Sequence, residues 1–398
     1  MKHIFFNYCF LLLVFVSCNN QQVTLPNDRK GEMHASMKLA EVGSKSFLLD
    51  NETSTKPLYI QMIKDSLGSR QLTFLNNYNN SIYFYQYNNP RFVKKITFDK
   101  DGPSGVQMPE GYYIKDPDSI YIFSRLLKVF LANSNADVLK KISLNGGNDI
   151  TNRDRNWAYR YPEFYVETVS PFMDNSNELL LTGIFGGTMP DSIVDKFKYT
   201  ARIDYDLSNV NYVHTYPRSI FGGNVNWGEG LFVQVFPQLH PDGKKMIYSL
   251  PMSHDLFITD INANSHKKIY AGSNFADTNK SIDKSPNKAS AESILSSFVR
   301  QDMYAAIIYD KYRKVYYRVL RKAFPNAPKQ TSWKEKNIAI IIMDDDFNYL
   351  GETVLGTERE WNWHNSFVTK EGLNIEYQDE NNIDEVNLTF KIFIPKKI

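Results

Sequence analysis

Ile82-Tyr83-Phe84-Tyr85, a polar turn, and then Lys94-Lys95-Ile96 form a pattern that the chain writes three times. Val129-Phe130-Leu131 leads in the same way to Lys140-Lys141-Ile142, and Leu256-Phe257-Ile258 to Lys267-Lys268-Ile269. From the central Tyr83, Phe130 and Phe257 to the first lysine the intervals are 11, 10 and 10 residues, the span of one hairpin. Looser copies pair Ala201-Arg202-Ile203-Asp204 with Tyr212-Val213-His214, and Ile340-Ile341-Ile342-Met343 with Tyr349-Leu350-Gly351. Lysine on the last strand of a sheet blunts edge-to-edge pairing. Each copy therefore reads as the outer hairpin of a four-stranded unit, with its lysines facing solvent.

Working outward from these hairpins, the chain beyond about residue 37 is a series of short strands separated by Gly, Asn, Asp and Pro clusters. The best helix candidate, Lys288 to Val299, is short. Strand-only repeats with a period of about 40–60 residues predict an all-β fold, a β-propeller. Six units can be counted: Tyr59–Phe98, Gly111–Leu144, Phe164–Tyr216, Leu231–Ala271, Met303–Leu355 and Ser366–Ile394. Insertions in units three and five leave a count of seven open. The sixth unit has only three strands of its own, Ser366–Thr369, Leu373–Tyr377 and Val386–Ile394. Its outer strand is expected from the N-terminal part of the chain, Lys45–Leu49 or Lys38–Val42, which would close the ring and remove a sheet edge.

Ahead of the propeller, Met1-Lys2-His3 is basic, Ile4 to Val16 is apolar, and Ser17 precedes Cys18. This is the layout of a secretory signal, too short for a permanent membrane span. The Ser-Cys ending resembles the bacterial lipobox, which implies lipidation of Cys18. The expected organisation is a lipoprotein signal peptide over 1–17, a flexible tether over 18–36 and the propeller over 37–398. The lipid on Cys18 implies a membrane as partner and the cell envelope, at the outer membrane, as location. No acidic run follows Cys18 to choose between its periplasmic and surface sides.

Composition narrows the function classes. The chain carries 46 basic and 44 acidic residues, and loss of Lys2 with the signal keeps the two near balance, so no nucleic-acid partner is expected. With Cys9 removed, Cys18 is the only thiol, which leaves no disulfide, thiolate metal site or cysteine nucleophile. Aromatics reach 14% of residues, suited to half-buried strands.

His240-Pro241-Asp242-Gly243-Lys244-Lys245-Met246-Ile247-Tyr248 reads as a tight hairpin and resembles the SPDGKKI-type hairpin of TolB-like propellers. Asn80-Ser81-Ile82-Tyr83-Phe84, Gly102-Pro103-Ser104-Gly105-Val106, Asp118-Ser119-Ile120-Tyr121-Ile122 and Tyr248-Ser249-Leu250-Pro251-Met252-Ser253-His254 add to the lipobox. Together they give the chain a nearly full-length resemblance to a Bacteroides lipoprotein family, domain of unknown function 4221. That resemblance implies a TolB-like propeller and assigns no catalytic residue.

A ligand site is expected where outermost strands lead to the next innermost strand. Three such turns carry tryptophan among amides and charges: Arg155 and Trp157; Asn226, Trp227 and Glu229; and Glu360, Trp361, Trp363 and His364. Trp333 lies elsewhere. Aromatic faces with polar edges suit a sugar ring or a peptide, so these residues are the candidate lining of an axial funnel. The same tryptophans would serve equally as fillers between blades. An enzyme reading, a glycan hydrolase or lyase using His364 with Glu229 or Glu360, is the rival, and a protein-interaction scaffold is the third. Carboxylates converging in the funnel would favour hydrolysis, and a dry, aromatic-plugged axis the scaffold. No metal or cofactor is expected. The histidines are scattered without close-spaced pairs, and Asp344-Asp345-Asp346 lacks the glycine and distant glutamate of a calcium loop. Residues 272–297 join units four and five as a polar loop or a lid.

Overall fold

The computed structural model describes residues 22–53, 57, 59–102, 104–151, 156–283, 289–378 and 386–398. The signal segment, Cys18 and Arg155 lie outside them. The described strands form six four-stranded antiparallel sheets and one two-stranded ribbon. From the innermost strand outward, blade one is Ile60–Lys64, Arg70–Asn76, Ser81–Gln86 and Arg91–Thr97. Blade two is Pro109–Asp116, Ser119–Ser124, Lys128–Ala132 and Val138–Ser143. Blade three is Met173–Asp174, Leu179–Thr182, Lys198–Ile203 and Val210–Thr215. Blade four is Phe236–Leu239, Lys245–Ser249, Asp255–Asp260 and Lys267–Tyr270, and blade five is Met303–Asp310, Val315–Arg321, Asn337–Asp344 and Tyr349–Thr357. The count is six.

Blade six takes Trp361–Thr369, Gly372–Tyr377 and Asn387–Lys397 from the C-terminal part and Met37–Leu48 as its outermost strand. The pairing runs from Met37 opposite Lys397 to Leu48 opposite Asn387, with a bulge between Glu41 and Gly43. The closing strand spans both segments expected from sequence. The innermost strand begins at Trp361 and not at Ser366, so Trp361, Trp363 and His364 stand on the strand itself.

Local chemistry explains the layering. Ser81–Gln86 is buried along nearly its whole length because it is sandwiched between neighbouring blades, whereas in Arg91–Thr97 only Ile96 is buried. The repeated Lys94-Lys95, Lys140-Lys141 and Lys267-Lys268 pairs all lie exposed on outermost strands. Between blades the packing is aromatic: the Phe47 ring of blade six meets Tyr85 of blade one edge-on at 5.9 Å, and Tyr85 stacks on Phe74 of its own blade at 5.7 Å. Each such ring contributes about 1.5–3 kcal/mol by leaving water. The His240–Gly243 hairpin forms as read, with Gly243 at φ 67° and its N–H donating to the His240 carbonyl at 2.9 Å.

Polar clasps tie blade to blade. Tyr112 Oη donates to Thr73 Oγ1 at 2.7 Å, and Tyr248 Oη lies 2.8 Å from Thr200 Oγ1 and 2.6 Å from His214 Nδ1. Tyr304 Oη lies 2.8 Å from His254 Nδ1. Arg318, fully buried, donates to Ser249 Oγ and to the carbonyls of Ser253, His254 and Ala271.

One segment departs from expectation, and the short helix expected near Lys288–Val299 forms. Residues 22–36, expected as the described part of a flexible tether, are docked: Thr24–Leu25 pairs with Asn279–Lys280, and Asn27 Nδ2 donates to the carbonyls of Ser273 and Ala276. Asparagine and serine side chains satisfying backbone groups hold this polar stretch, with no hydrophobic period to announce it. The loop between blades four and five, in turn, carries this ribbon and a helix, Ala291–Arg300, capped by Ser290 Oγ accepting from the Ser293 N–H at 3.1 Å.

Blade three has the least regular inner strand. Glu163 pairs with Ile184, the chain then leaves the sheet, and it returns only at Met173–Asp174. The excursion between them crosses the ring's centre and sets the floor of the site.

Candidate functional site

Strands alternate in direction, so connections from outermost to innermost strands and connections from second to third strands all open on one face. On that face lies a cavity of about 750 Å³, lined by Trp157, Trp333, Trp361 and Trp363, with Glu163, Glu167, His364 and Asn365 among its polar groups. Trp157 comes from the short 3-10 turn Asn156–Tyr159 before blade three. Trp361 and Trp363 come from the first turn-side residues of the innermost strand of blade six. Trp333 comes from the turn Trp333–Glu335, between the second and third strands of blade five. It was set apart in the sequence because only outer-to-inner turns were considered, although its connection opens on the same face.

The floor is built by the blade-three excursion. Ile60 N–H donates to Thr168 Oγ1 at 3.0 Å, and Thr168 Oγ1 donates to Asn365 Oδ1 at 2.7 Å. Asn365 Nδ2 in turn donates to the Pro57 carbonyl and to Glu376 Oε2. This relay joins blades one, three and six. Beneath it Val169, Phe236 and Trp363 share one apolar cluster, and Phe236 meets Trp363 edge-on at 5.6 Å. The axis is thus plugged by apolar groups at its middle, while the mouth keeps a polar, open cavity.

Two polar contacts fix the walls. His364 Nδ1 lies 2.6 Å from Glu167 Oε2, and the His364 ring stacks on Trp363 with centroids 3.7 Å apart. Behind the wall, Arg321 holds Glu358 in a two-point contact, Nε to Oε1 at 2.7 Å and a terminal nitrogen to Oε2 at 2.9 Å, with both residues buried. Glu358 Oε2 also accepts from Trp363 Nε1 at 3.1 Å, and the Arg321 guanidinium lies 5.4 Å from the Trp333 ring and 5.5 Å from that of Trp363. The pair orients two of the four indoles. Next to it, burial drives the Lys336 ammonium down to about 7 while its Nζ donates to the Phe298 and Gln301 carbonyls.

Of the residues anticipated from sequence, Trp157, Trp361, Trp363 and His364 come together here. Asn226, Trp227 and Glu229 do not: they border a separate shallow dent with Gly187, Thr188 and Met189. Trp227 is 3% exposed and donates from Nε1 to the Ile220 carbonyl at 2.9 Å, so it fills space within the packing of blades three and four. Glu229 accepts from Thr188 Oγ1. Glu360 falls outside the lining, which removes both carboxylates once paired with His364 in the hydrolase reading. Sequence reading missed Glu167, Glu163 and Arg321; none belongs to a motif, and only the excursion brings Glu167 to His364.

The lining carboxylates are engaged by neighbours: Glu110 by Arg125, Glu163 by Tyr165, Glu167 by His364 and Glu358 by Arg321. Among the described residues no group of three or more His, Cys, Asp or Glu side chains is placed to hold a metal ion. None of the described residues of 272–297 lines the cavity. Among the described residues no helix is long and apolar enough to cross a membrane.

Residues 36–354 match the sequence profile of the family described as Domain of unknown function (DUF4221). The chain belongs to the DUF4221 family. A DUF4221 crystal structure from Bacteroides vulgatus superposes with a TM-score of 0.72 at 19% identity, covering 91% of this chain and 99% of that one. A Bacteroides fragilis protein named as a candidate for export superposes with a TM-score of 0.53 at 11% identity, covering 94% of this chain and 97% of that one. These likenesses establish the DUF4221 fold as a six-bladed propeller. No curated protein sequence matches the chain.

Proposed function

We propose that this DUF4221 protein is a non-enzymatic, lipid-anchored binding propeller of the cell envelope, and that the tryptophan-lined cavity takes an oligosaccharide. The observation that carries the reading is the convergence of four of the five tryptophans on one cavity whose remaining lining is rich in carboxylate and amide acceptors. Trp157, Trp361 and Trp363 are buried and present edges to the cavity, while the partly exposed Trp333 indole is the one free to stack on the C–H face of a pyranose, whose hydroxyls can donate hydrogen bonds to the carboxylates. A general acid or base needs a carboxylate free to exchange protons with the ligand. Neither Glu229 nor Glu360, the carboxylates of the hydrolase reading, lines the cavity, which supports binding over hydrolysis.

The lipid anchor at Cys18 rests on the lipobox-like sequence, and the export description of the Bacteroides fragilis relative agrees with an envelope location. A screen of the mature chain against soluble oligosaccharides, read by tryptophan fluorescence and calorimetry, tests the proposal. Trp333→Ala is expected to weaken binding about tenfold, the worth of one stacked aromatic, with the melting temperature unchanged. Absence of any saccharide ligand, or an unaltered affinity in Trp333→Ala, would overturn it.

A further inference from the structure

We infer that the cavity-bearing face is turned toward the lipid bilayer and rests on it, so that the site reads ligands presented from the same membrane. The inference rests on the reading of Cys18 as the lipidated residue and adds an orientation to it.

The first described residues are fastened on that face. Gln22 Nε2 donates to the Ser281 carbonyl at 2.8 Å, the Val23 N–H donates to Ser281 Oγ at 2.9 Å, and the Ser281 N–H returns a bond to the Val23 carbonyl at 2.8 Å. Thr24 and Leu25 pair with Lys280 and Asn279, and the Leu25 carbonyl lies 3.2 Å from His254 Nε2. Residues 279–281 belong to the outer-to-inner connection between blades four and five, and His254 to a second-to-third connection of blade four. Both open on the face of the cavity.

From there the chain descends along the outside of the ring. Asn274 Oδ1 accepts from the Gly31 and Met33 N–H groups, and Ser36 N–H donates to the Leu350 carbonyl at 2.8 Å, next to the far-face hairpin of blade five. A free tether from 18 to 36 would let the body adopt any attitude. The docked one leaves only the step from Cys18 to Gln22, at most about 14 Å of extended chain. That is far less than the height of the ring, so the far face cannot reach the lipid.

The distribution of exposed apolar side chains points the same way independently. Tyr78, Tyr159, Tyr165, Leu231, Leu295 and Phe324 stand exposed on connections of the cavity-bearing face, against Leu67, Tyr312 and Ile398 at the other end. Three of these six are tyrosines, a residue enriched at membrane–water interfaces.

The test uses the full chain, matured in a lipidating bacterial host and reconstituted into phosphatidylethanolamine/phosphatidylglycerol vesicles. Acylation consumes the Cys18 thiol, so one introduced cysteine is the only free thiol of the mature chain. Tyr159→Cys and Leu67→Cys, on opposite faces and outside the cavity lining, each carry a fluorophore against a headgroup-attached quencher. Quenching is expected to be several-fold stronger at 159 than at 67, and insertion of about twenty Gly/Ser residues between Cys18 and Gln22 to abolish the difference. Equal or reversed quenching on an acylated chain would overturn the orientation alone. An unmodified Cys18 in the mass of the mature N-terminal peptide would remove the anchor, and the orientation with it.

Discussion

His364 on blade six and Glu167 on the excursion of blade three meet at 2.6 Å, a contact between diametrically opposed blades of a six-membered ring. Opposite walls of a propeller mouth are ordinarily separated by the axial space. Here this contact and the buried Thr168–Asn365 bond beside it join the two walls across the axis. The His364 and Glu167 side chains are both about 30% exposed, so their pair is worth under about 1 kcal/mol to the fold. Glu167→Gln is therefore expected to change saccharide affinity while moving the urea midpoint hardly at all. Parallel titration calorimetry and urea denaturation check this, and a large loss of stability would show the contact to be structural only.

Arg321 and Glu358 should behave in the opposite way. Their pair is buried, and removing one partner leaves an uncompensated charge, at a cost of about 3–5 kcal/mol. Glu358→Ala also strips Trp363 Nε1 of its acceptor. A marked fall in the denaturant midpoint is expected, whereas Glu163→Gln, at the cavity wall, stays within about 0.5 kcal/mol of the parent.

Buried His214 and His254 predict an acid-sensitive ring. Loss of solvation lowers both to about 4, while an unfolded histidine titrates near 6.5. Between these values the unfolded chain binds protons that the folded one does not, so stability falls as pH drops from about 6.5 toward 4, by on the order of 3 kcal/mol per site. Thermal melts from pH 7.5 to 4.5 measure the slope. His214→Gln with His254→Gln keeps hydrogen-bonding groups but cannot titrate, and is expected to flatten the curve.

Closure of the ring has its own weak point. A Cβ on Gly351 would sit 1.9 Å from the Met37 carbonyl oxygen, where the closing strand begins. Backbone stands in the way, and a neighbouring rotamer cannot relieve it. Gly351→Ala is expected to displace the start of Met37–Leu48, seen as a lowered melting temperature and faster proteolysis near residue 36. An unchanged melt and digestion pattern would refute this.

What the sequence revealed were the features that repeat or alternate locally. The Lys-Lys-Ile hairpins announced the outermost strands because a solvent-facing edge demands the same composition each time. The strand deficit of the last unit announced the borrowed N-terminal one. The site was legible only in part, because a tryptophan's role depends on where its connection goes. Trp227 and Trp363 sit in similar polar company in sequence and both end up buried, yet one packs between blades three and four and the other beneath the cavity at the axis. Trp333 required the parity of strand directions, and Glu167 an excursion that has no periodicity to read. The docking of residues 22–36 was hidden for a related reason: side chain to backbone bonds leave no trace in hydropathy.

The pairing of Met37–Leu48 with Asn387–Lys397 also constrains biogenesis. A chain synthesised from its N-terminus must keep its early strand waiting until nearly the last residue is made, a loop closure of about 350 residues. Until then blade six presents an unsatisfied border, accessible to chaperones and proteases. Chains shortened at the C-terminal end are expected to keep that border open and to digest faster than the full-length chain.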